Sequence, residues 1–230
     1  MSDMRIALVA EGPTDYEVIQ ASLLAILPRP FVLTPLQPER TRPDMGTGWS
    51  GVLKWCHAAG HRHAGTLDTD PTLEGFDLLI IHLDVDVTAA SYEDCGPAVA
   101  EMALANEWAV LPCAQPCPPV TASVEPLTDA LMSWLQPARP GAKTVLCLPA
   151  QSIGAWLAVA MLPPGHALLS CAECNAQLES RLGKLPLSQR IKKSPRDYRA
   201  AASKVAANWT AIRAHCGQAR AFEQAVLAAL

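Results

Sequence analysis

The chain has few aromatic residues and no long apolar run, and both shortages narrow what it can be. Six Trp, three Tyr and three Phe in 230 residues leave little with which to stack on exposed bases. Only Tyr198 and Trp209 lie near the most basic stretch, so a nucleic-acid partner is expected to be held through the backbone of a duplex. The longest apolar run, Ile153 to Leu162, stops at Pro163-Pro164-Gly165, short of the roughly 18 residues a membrane helix needs. No membrane partner is expected. Near the N-terminus only Ile6 to Ala10 is hydrophobic, and Asp3 and Glu11 flank it, which is not the pattern of a secretory signal. The expected compartment is the cytoplasm. There is no HExxH motif, no internal repeat and no long low-complexity segment.

What is present begins with eight cysteines. Without an export signal they read as reduced thiols rather than as a disulfide framework. Cys113 with Cys117 and Cys171 with Cys174 have spacings that can offer four thiolates to zinc. Cys113 sits among prolines, however, and neither pair has the glycine and aromatic context of a knuckle, so the cysteines are expected to be small buried apolar residues. His57, His61 and His63 form a second cluster. The first two stand at i and i+4, a helical metal-ligand spacing, but Gly60 and Gly65 argue against a regular helix, and a polar loop over the active site is expected instead.

Charge is unevenly spread. Between Arg181 and Lys204 there are eight basic residues against Asp197 alone, a net +7 that leaves −11 for the rest of a chain whose formal charge is −4. A basic surface beside an acidic body suits a metal-dependent enzyme acting on phosphodiesters.

Periodicity gives an alternation of strands and helices. Strands are expected at Met4 to Ala10, Phe31 to Leu36, Asp77 to Leu83, Trp108 to Cys113 and Thr144 to Leu148. Helices are expected at Thr14 to Leu27, around Gly51 to Ala59, at Cys95 to Glu107, at Val124 to Leu135, and nearly throughout after Ser152. Residues 38 to 76 form a long irregular insertion. The fold class is therefore α/β, a mainly parallel sheet flanked by helices, with a domain over 1 to 160 and a helical C-terminal region over 161 to 230.

Functional groups in such sheets collect at the carboxyl ends of the strands. Glu11 ends the first strand in "ALVAEGPTDYEV", and Asp84 and Asp86 end the most apolar one in "DLLIIHLDVDV". Val85 between the two aspartates puts both on one face if the strand is still extended there. Carboxylates that converge without a base between them repel one another, and a hard divalent cation, Mg²⁺ or Mn²⁺, relieves the repulsion.

These two motifs in this order resemble the TOPRIM domain of topoisomerases, primases and the overcoming-lysogenisation-defect nucleases, over roughly residues 4 to 160. "LPAQSIGAWLAVA" (148 to 160) and "IKKSPRDY" (191 to 198) extend the likeness to small stand-alone TOPRIM-like bacterial proteins, often encoded beside an ATPase and associated with defence against phage. The resemblance implies a Mg²⁺-dependent nuclease, acting on DNA rather than RNA, with an ATPase partner; a homo-oligomer is left open. Asp84 and Asp86 would hold the metal, and Glu11 would complete the shell or act as general base. Asp15 would be an outer ligand or a helix-stabilising acid in the first turn. Lys192, Lys193, Arg196 and Lys204 would contact the phosphate backbone, with one of the two adjacent lysines at the transition state. The family often has Glu where this chain has Gly154, and Glu125, Asp129 or Glu173 are candidates to replace it. Two alternatives stand beside this reading. One is a haloacid-dehalogenase-like phosphatase with Asp84 as nucleophile and Asp86 as general acid; the other is a non-catalytic subunit of the same fold that binds a partner.

Overall fold

The computed structural model describes residues 3–39, 41 and 43–230; residues 40 and 42 of the expected irregular insertion lie outside them. Its centre is a four-stranded, all-parallel sheet in the order β2-β1-β3-β4, formed by β1 (Met4–Val9), β2 (Phe31–Gln37), β3 (Leu78–His82) and β4 (Thr144–Cys147). β3 is buried at every position, as a parallel strand covered on both faces requires.

Alternate residues feed two separate cores. Ile6, Leu8, Leu78 and Ile80 pack with α1 (Pro13–Ile26), α5 (Gly154–Met161) and the C-terminal helices. Ala7, Val9, Leu79 and Ile81 pack with α2 (Gly48–Arg62), α3 (Pro97–Ala105) and α4 (Thr121–Leu135). The few aromatic residues are concentrated in these cores. Trp156 packs against Trp209 and Phe222 on one side. On the other, Trp134 stacks on Trp49 and donates its indole N–H to the Tyr92 hydroxyl at 3.0 Å. Trp209 and Tyr198 are thus buried and unable to stack on a base.

α6 (Leu178–Leu182), α7 (Pro195–Ala207), α8 (Trp209–His215) and α9 (Gly217–Ala228) complete the layer beside α1. α7 lies along α1 and α5. It starts where Ser194 Oγ accepts the Asp197 N–H at 3.2 Å and Pro195 supplies a fixed φ at the first helical position. Asp197 in turn accepts the Lys192 N–H at 3.0 Å. The short segment carrying Lys192 and Lys193 is therefore tied to the cap of α7. No helix among the described residues is long and apolar enough to cross a membrane.

Four local expectations are corrected. The segment Trp108 to Cys113 is not a strand: Val110 points to solvent, and its backbone groups bond elsewhere, the Ala109 N–H to Ser133 Oγ and the Cys113 N–H to the Thr88 carbonyl. Trp108 and Leu111 still reach the core, which is what made the pattern strand-like. The histidine stretch is not a loop, because α2 runs unbroken through Gly60. Glycine is needed there for close packing: a Cβ would stand 2.3 Å from the Leu135 carbonyl oxygen. Nor do the histidines cover a strand-end site. The N-terminus of α2 is bonded to the Glu11 carbonyl through the Gly48 N–H, so His57 and His61 lie about two and a half and three and a half turns away along the helix.

The fourth concerns the thiols. Cys117 and Cys174 form a disulfide across 57 residues of sequence, their Cα atoms 5.6 Å apart, while Cys56, Cys95, Cys113, Cys147, Cys171 and Cys216 are free. The bond uses one thiol from each candidate zinc pair, so those pairs do not form a four-thiolate site. Proximity of this kind is set by the packing of the 114–120 loop on the 172–174 turn and has no signature in the sequence spacing.

Candidate metal centre

β1 and β3 lie side by side, yet the chain leaves β1 for β2 in one direction and passes to β3 in the other. This makes the gap between them the switch point of the sheet, where a crevice opens beyond the strand ends. Glu11 follows β1 and Asp84 follows β3. The Asp84 N–H donates to Glu11 Oε1 at 2.8 Å, and the Ile153 N–H, entering α5, donates to Asp84 Oδ1 at 3.0 Å. Backbone groups of two loops thus aim both carboxylates. Beyond Asp84 the chain is held by the loop after β4: the Val85 N–H bonds to the Pro149 carbonyl and the Asp86 N–H to that of Gln151. Gln151 adopts a left-handed φ of 57° to present it, a conformation that non-glycine residues pay for and that is often kept at functional sites.

His82 is the residue that sequence reasoning missed. It is the last residue of β3, fully buried, with Nε2 3.3 Å from Asp84 Oδ1 and Nδ1 3.9 Å from Asp15 Oδ2, and neither ring nitrogen has a hydrogen bond. Glu11, His82 and Asp84 each place a donor atom within 4.8 Å of the others. A signal was available. Positions 78, 80, 82 and 84 fall on one face of an extended strand, so a lone histidine in an otherwise apolar strand pointed at the same side as Asp84.

Crowding of acids around this imidazole shows in their proton affinities. Burial, with Asp84 beside it, pushes Glu11 up to about 8. Burial likewise raises Asp15 to about 6, against the pull of His82. For His82 burial acts downward, but Asp15, Asp84 and Glu11 outweigh it and hold the ring at about 9. Each of these shifts is what a cation in the middle would relieve.

The remaining expected site residues are placed as follows. Asp15 is buried in the first turn of α1, where its Oδ2 accepts the Gly12 N–H at 2.8 Å. It therefore caps the helix and backs His82 from the far side. Asp86 is not on an extended strand with Asp84, because residues 85–89 coil into a 3-10 turn. It reaches solvent at the mouth of the crevice, and the walls there, with Asp84, push it up to about 7. Of the adjacent lysines, Lys193 faces the acids. Its Nζ pairs with Glu179 at 2.7 Å, and Glu179, Asp84 and Asp15 raise its pKa against the effect of burial. Lys192 is exposed beside it, and Arg196 and Lys204 are exposed on the first and last turns of α7.

Gly154 also finds its explanation here. A Cβ on it would stand 2.6 Å from Glu179 Cγ, so the side chain of Glu179, reached by the Tyr198 hydroxyl at 3.0 Å, fills the space a residue at 154 would use. The three acids expected to compensate do not reach it. Glu125 and Asp129 are exposed on α4, in the opposite layer, and Glu173 accepts the Gly217 and Gln218 N–H groups at the start of α9.

Comparison of the chain with protein-family models, with curated proteins and with solved structures gives no match.

Proposed function

We propose that the chain hydrolyses phosphodiester bonds of nucleic acid with a divalent cation held by Glu11, His82 and Asp84. The observation that carries this reading is the convergence of those three donors within 4.8 Å at the switch point of the sheet, around a fully buried imidazole whose nitrogens stand 3.3 Å from Asp84 and 3.9 Å from Asp15 without a hydrogen bond. The donor set fits a cation. Its mixture of carboxylate oxygen and imidazole nitrogen favours Mn²⁺ over Mg²⁺, which keeps to oxygen ligands. When bound, such an ion supplies positive charge for a phosphoryl oxygen and makes a water acidic enough to attack near neutral pH.

The chain's own residues supply the rest. Glu11, its Oε1 fixed by the Asp84 N–H at 2.8 Å, is placed to complete the shell of the ion or to take a proton from the attacking water. Lys193 stands beside the carboxylates as a fixed positive charge for the phosphate. The exposed Lys192, Arg196 and Lys204 draw in and position a nucleic-acid backbone without reading its sequence. The likeness of "EGPTD" and "DVDV" to TOPRIM motifs supports the same chemistry; DNA as substrate and an ATPase partner rest on that likeness alone.

The experiment is cleavage of supercoiled plasmid and of a labelled RNA in Mn²⁺ and in Mg²⁺, with Glu11→Gln and Asp84→Asn as controls. Metal-dependent cutting that both variants abolish is the expected result. Cutting that survives in both variants would overturn the reading.

A further inference from the structure

The loop before α4, residues 112–120, carries Pro112, Pro116, Pro118 and Pro119, so it has few N–H groups with which to anchor itself. Those it uses bond on the α4 side of the sheet. The Cys113 and Ala114 N–H groups donate to the Thr88 carbonyl at 2.8 and 3.0 Å, and the Gln115 N–H donates to Ser123 Oγ at 2.9 Å. Thr88 belongs to the 3-10 turn that follows Asp84 and carries Asp86, and its Oγ1 donates to the Val85 carbonyl at 2.7 Å. The loop therefore braces the turn through which the chain leaves Asp84.

The same loop is tied to the opposite layer by the Cys117–Cys174 disulfide. Cys174 closes the turn of residues 172–174, whose Ala172 is buried in the core around α5 and whose Glu173 accepts the Gly217 and Gln218 N–H groups of α9 at 2.7 and 3.0 Å. Further along, Glu179 in α6 pairs with Lys193 at 2.7 Å. The disulfide thus joins the turn of Asp84 and Asp86 on one side of the sheet to the arm that holds Lys193 on the other. Cys117 and Cys174 are half-buried, and Pro116, Pro118 and the free Cys171 near them in sequence are exposed, which places the bond at the surface rather than in a core.

We propose that this disulfide is a reducible clamp on the loops around the candidate metal centre, a site of thiol modification whose partner is a dithiol reductant. A thiolate of the reductant attacks one sulfur, the S–S bond breaks, and the other cysteine leaves as a thiolate that takes a proton. The reductant's second thiol then displaces the first sulfur, so that two electrons and two protons pass to the chain and the reductant ends as a disulfide. With the bond open, the loop keeps its hydrogen bonds within one layer and loses its tie to the other, and the 85–89 turn opens more often. As regulation of the metal centre the clamp rests on the reading above, since a site competent for only part of the time binds its cation correspondingly more weakly. The loosening of the turn itself does not need a metal.

The test is amide hydrogen exchange of the whole chain, free of metal, before and after treatment with dithiothreitol, with Cys117→Ser and Cys171→Ser alongside. Peptide mapping of the untreated chain is expected to show Cys117 linked to Cys174. On reduction the Val87, Cys113 and Ala114 amides are expected to exchange about tenfold or more faster, while those of β1 and β3 keep their protection. Cys117→Ser is expected to exchange fast with or without the reductant, and Cys171→Ser, which keeps the bond, to respond as the native chain does. Calorimetric titration with Mn²⁺, no reductant present, is expected to give Cys117→Ser an affinity about threefold or more below that of the disulfide-bonded chain. Absence of the linked peptide, exchange that reduction leaves unchanged or raises equally in β1 and β3, or equal Mn²⁺ affinities would overturn the inference. If neither form binds Mn²⁺, the metal reading fails and exchange alone decides the clamp, so the two failures are told apart.

Discussion

Two groups of residues of metal-ligating type in this molecule look unlike each other in sequence and in space. His57 and His61 are one helical turn apart on α2 and bring their Nε2 atoms to 3.1 Å, yet both rings are partly solvent-reached and no third donor joins them among the described residues. Glu11, His82 and Asp84 come from the ends of two strands more than seventy residues apart, and they form a three-donor group, His82 and Asp84 buried and Glu11 half-buried, whose carboxylates backbone amides aim. Local spacing alone makes a pair; a centre needs the sheet. Coordination chemistry also separates them, since two ligands on a solvated helix leave most of a cation's shell to water, whereas three in a crowded, desolvated crevice gain from relieving mutual repulsion.

The comparison is tested most severely by removing one ligand from the buried group. Since even the outer partners of a metal cost about 10–100-fold when lost, Asp84→Asn is expected to lower Mn²⁺-dependent cleavage by about a hundredfold or more, as read by initial rates on plasmid. His82→Gln is the next largest effect. Affinity for Mn²⁺ is expected to fall by about tenfold or more while Mg²⁺ affinity changes less, because only the nitrogen-preferring ion loses its preferred donor. Competition calorimetry with the two ions reads this directly.

A smaller effect concerns pH. Glu11 at about 8, Asp15 at about 6, Asp86 at about 7 and His82 at about 9 all bind protons more tightly in the folded chain than in an unfolded one. Their contribution to stability is therefore present at low pH and is lost as pH rises through about 6 to 9. Mn²⁺ takes the place of those protons, so the increase in melting temperature on adding Mn²⁺ is expected to be larger at pH 8 than at pH 6. Thermal melts with and without the ion at both values check this. Smallest of all is the pair on α2: the double variant His57→Ala, His61→Ala is expected to change cleavage by less than about twofold, the ordinary range for exposed positions away from a site.

How much of this was legible follows the same division. The parallel sheet could be read because buried strands declare themselves by composition, as "DLLIIHL" does. Glu11 and Asp84 could be placed because strand ends in such sheets carry function. Asp86 was placed on the wrong geometry, since nothing in "DVDV" announces that the backbone coils at Val85. The disulfide between Cys117 and Cys174, and Glu179 standing in the space above Gly154, depend on which loop lies on which helix. Long-range packing decides these, and no local pattern encodes it. His57 and His61 show the opposite error, where a glycine that reads as a helix breaker in isolation is required by the approach of α2 to the 135–136 backbone.

The central claim is that Glu11, His82 and Asp84 hold one cation together. Calorimetric titration of the metal-free chain with Mn²⁺ at pH 8 tests it most directly, alongside Asp84→Asn and the His57→Ala, His61→Ala double variant. A single site that disappears in the first variant and persists in the second is the predicted result. Mn²⁺ binding that Asp84→Asn leaves intact, or that the double variant removes, would contradict it.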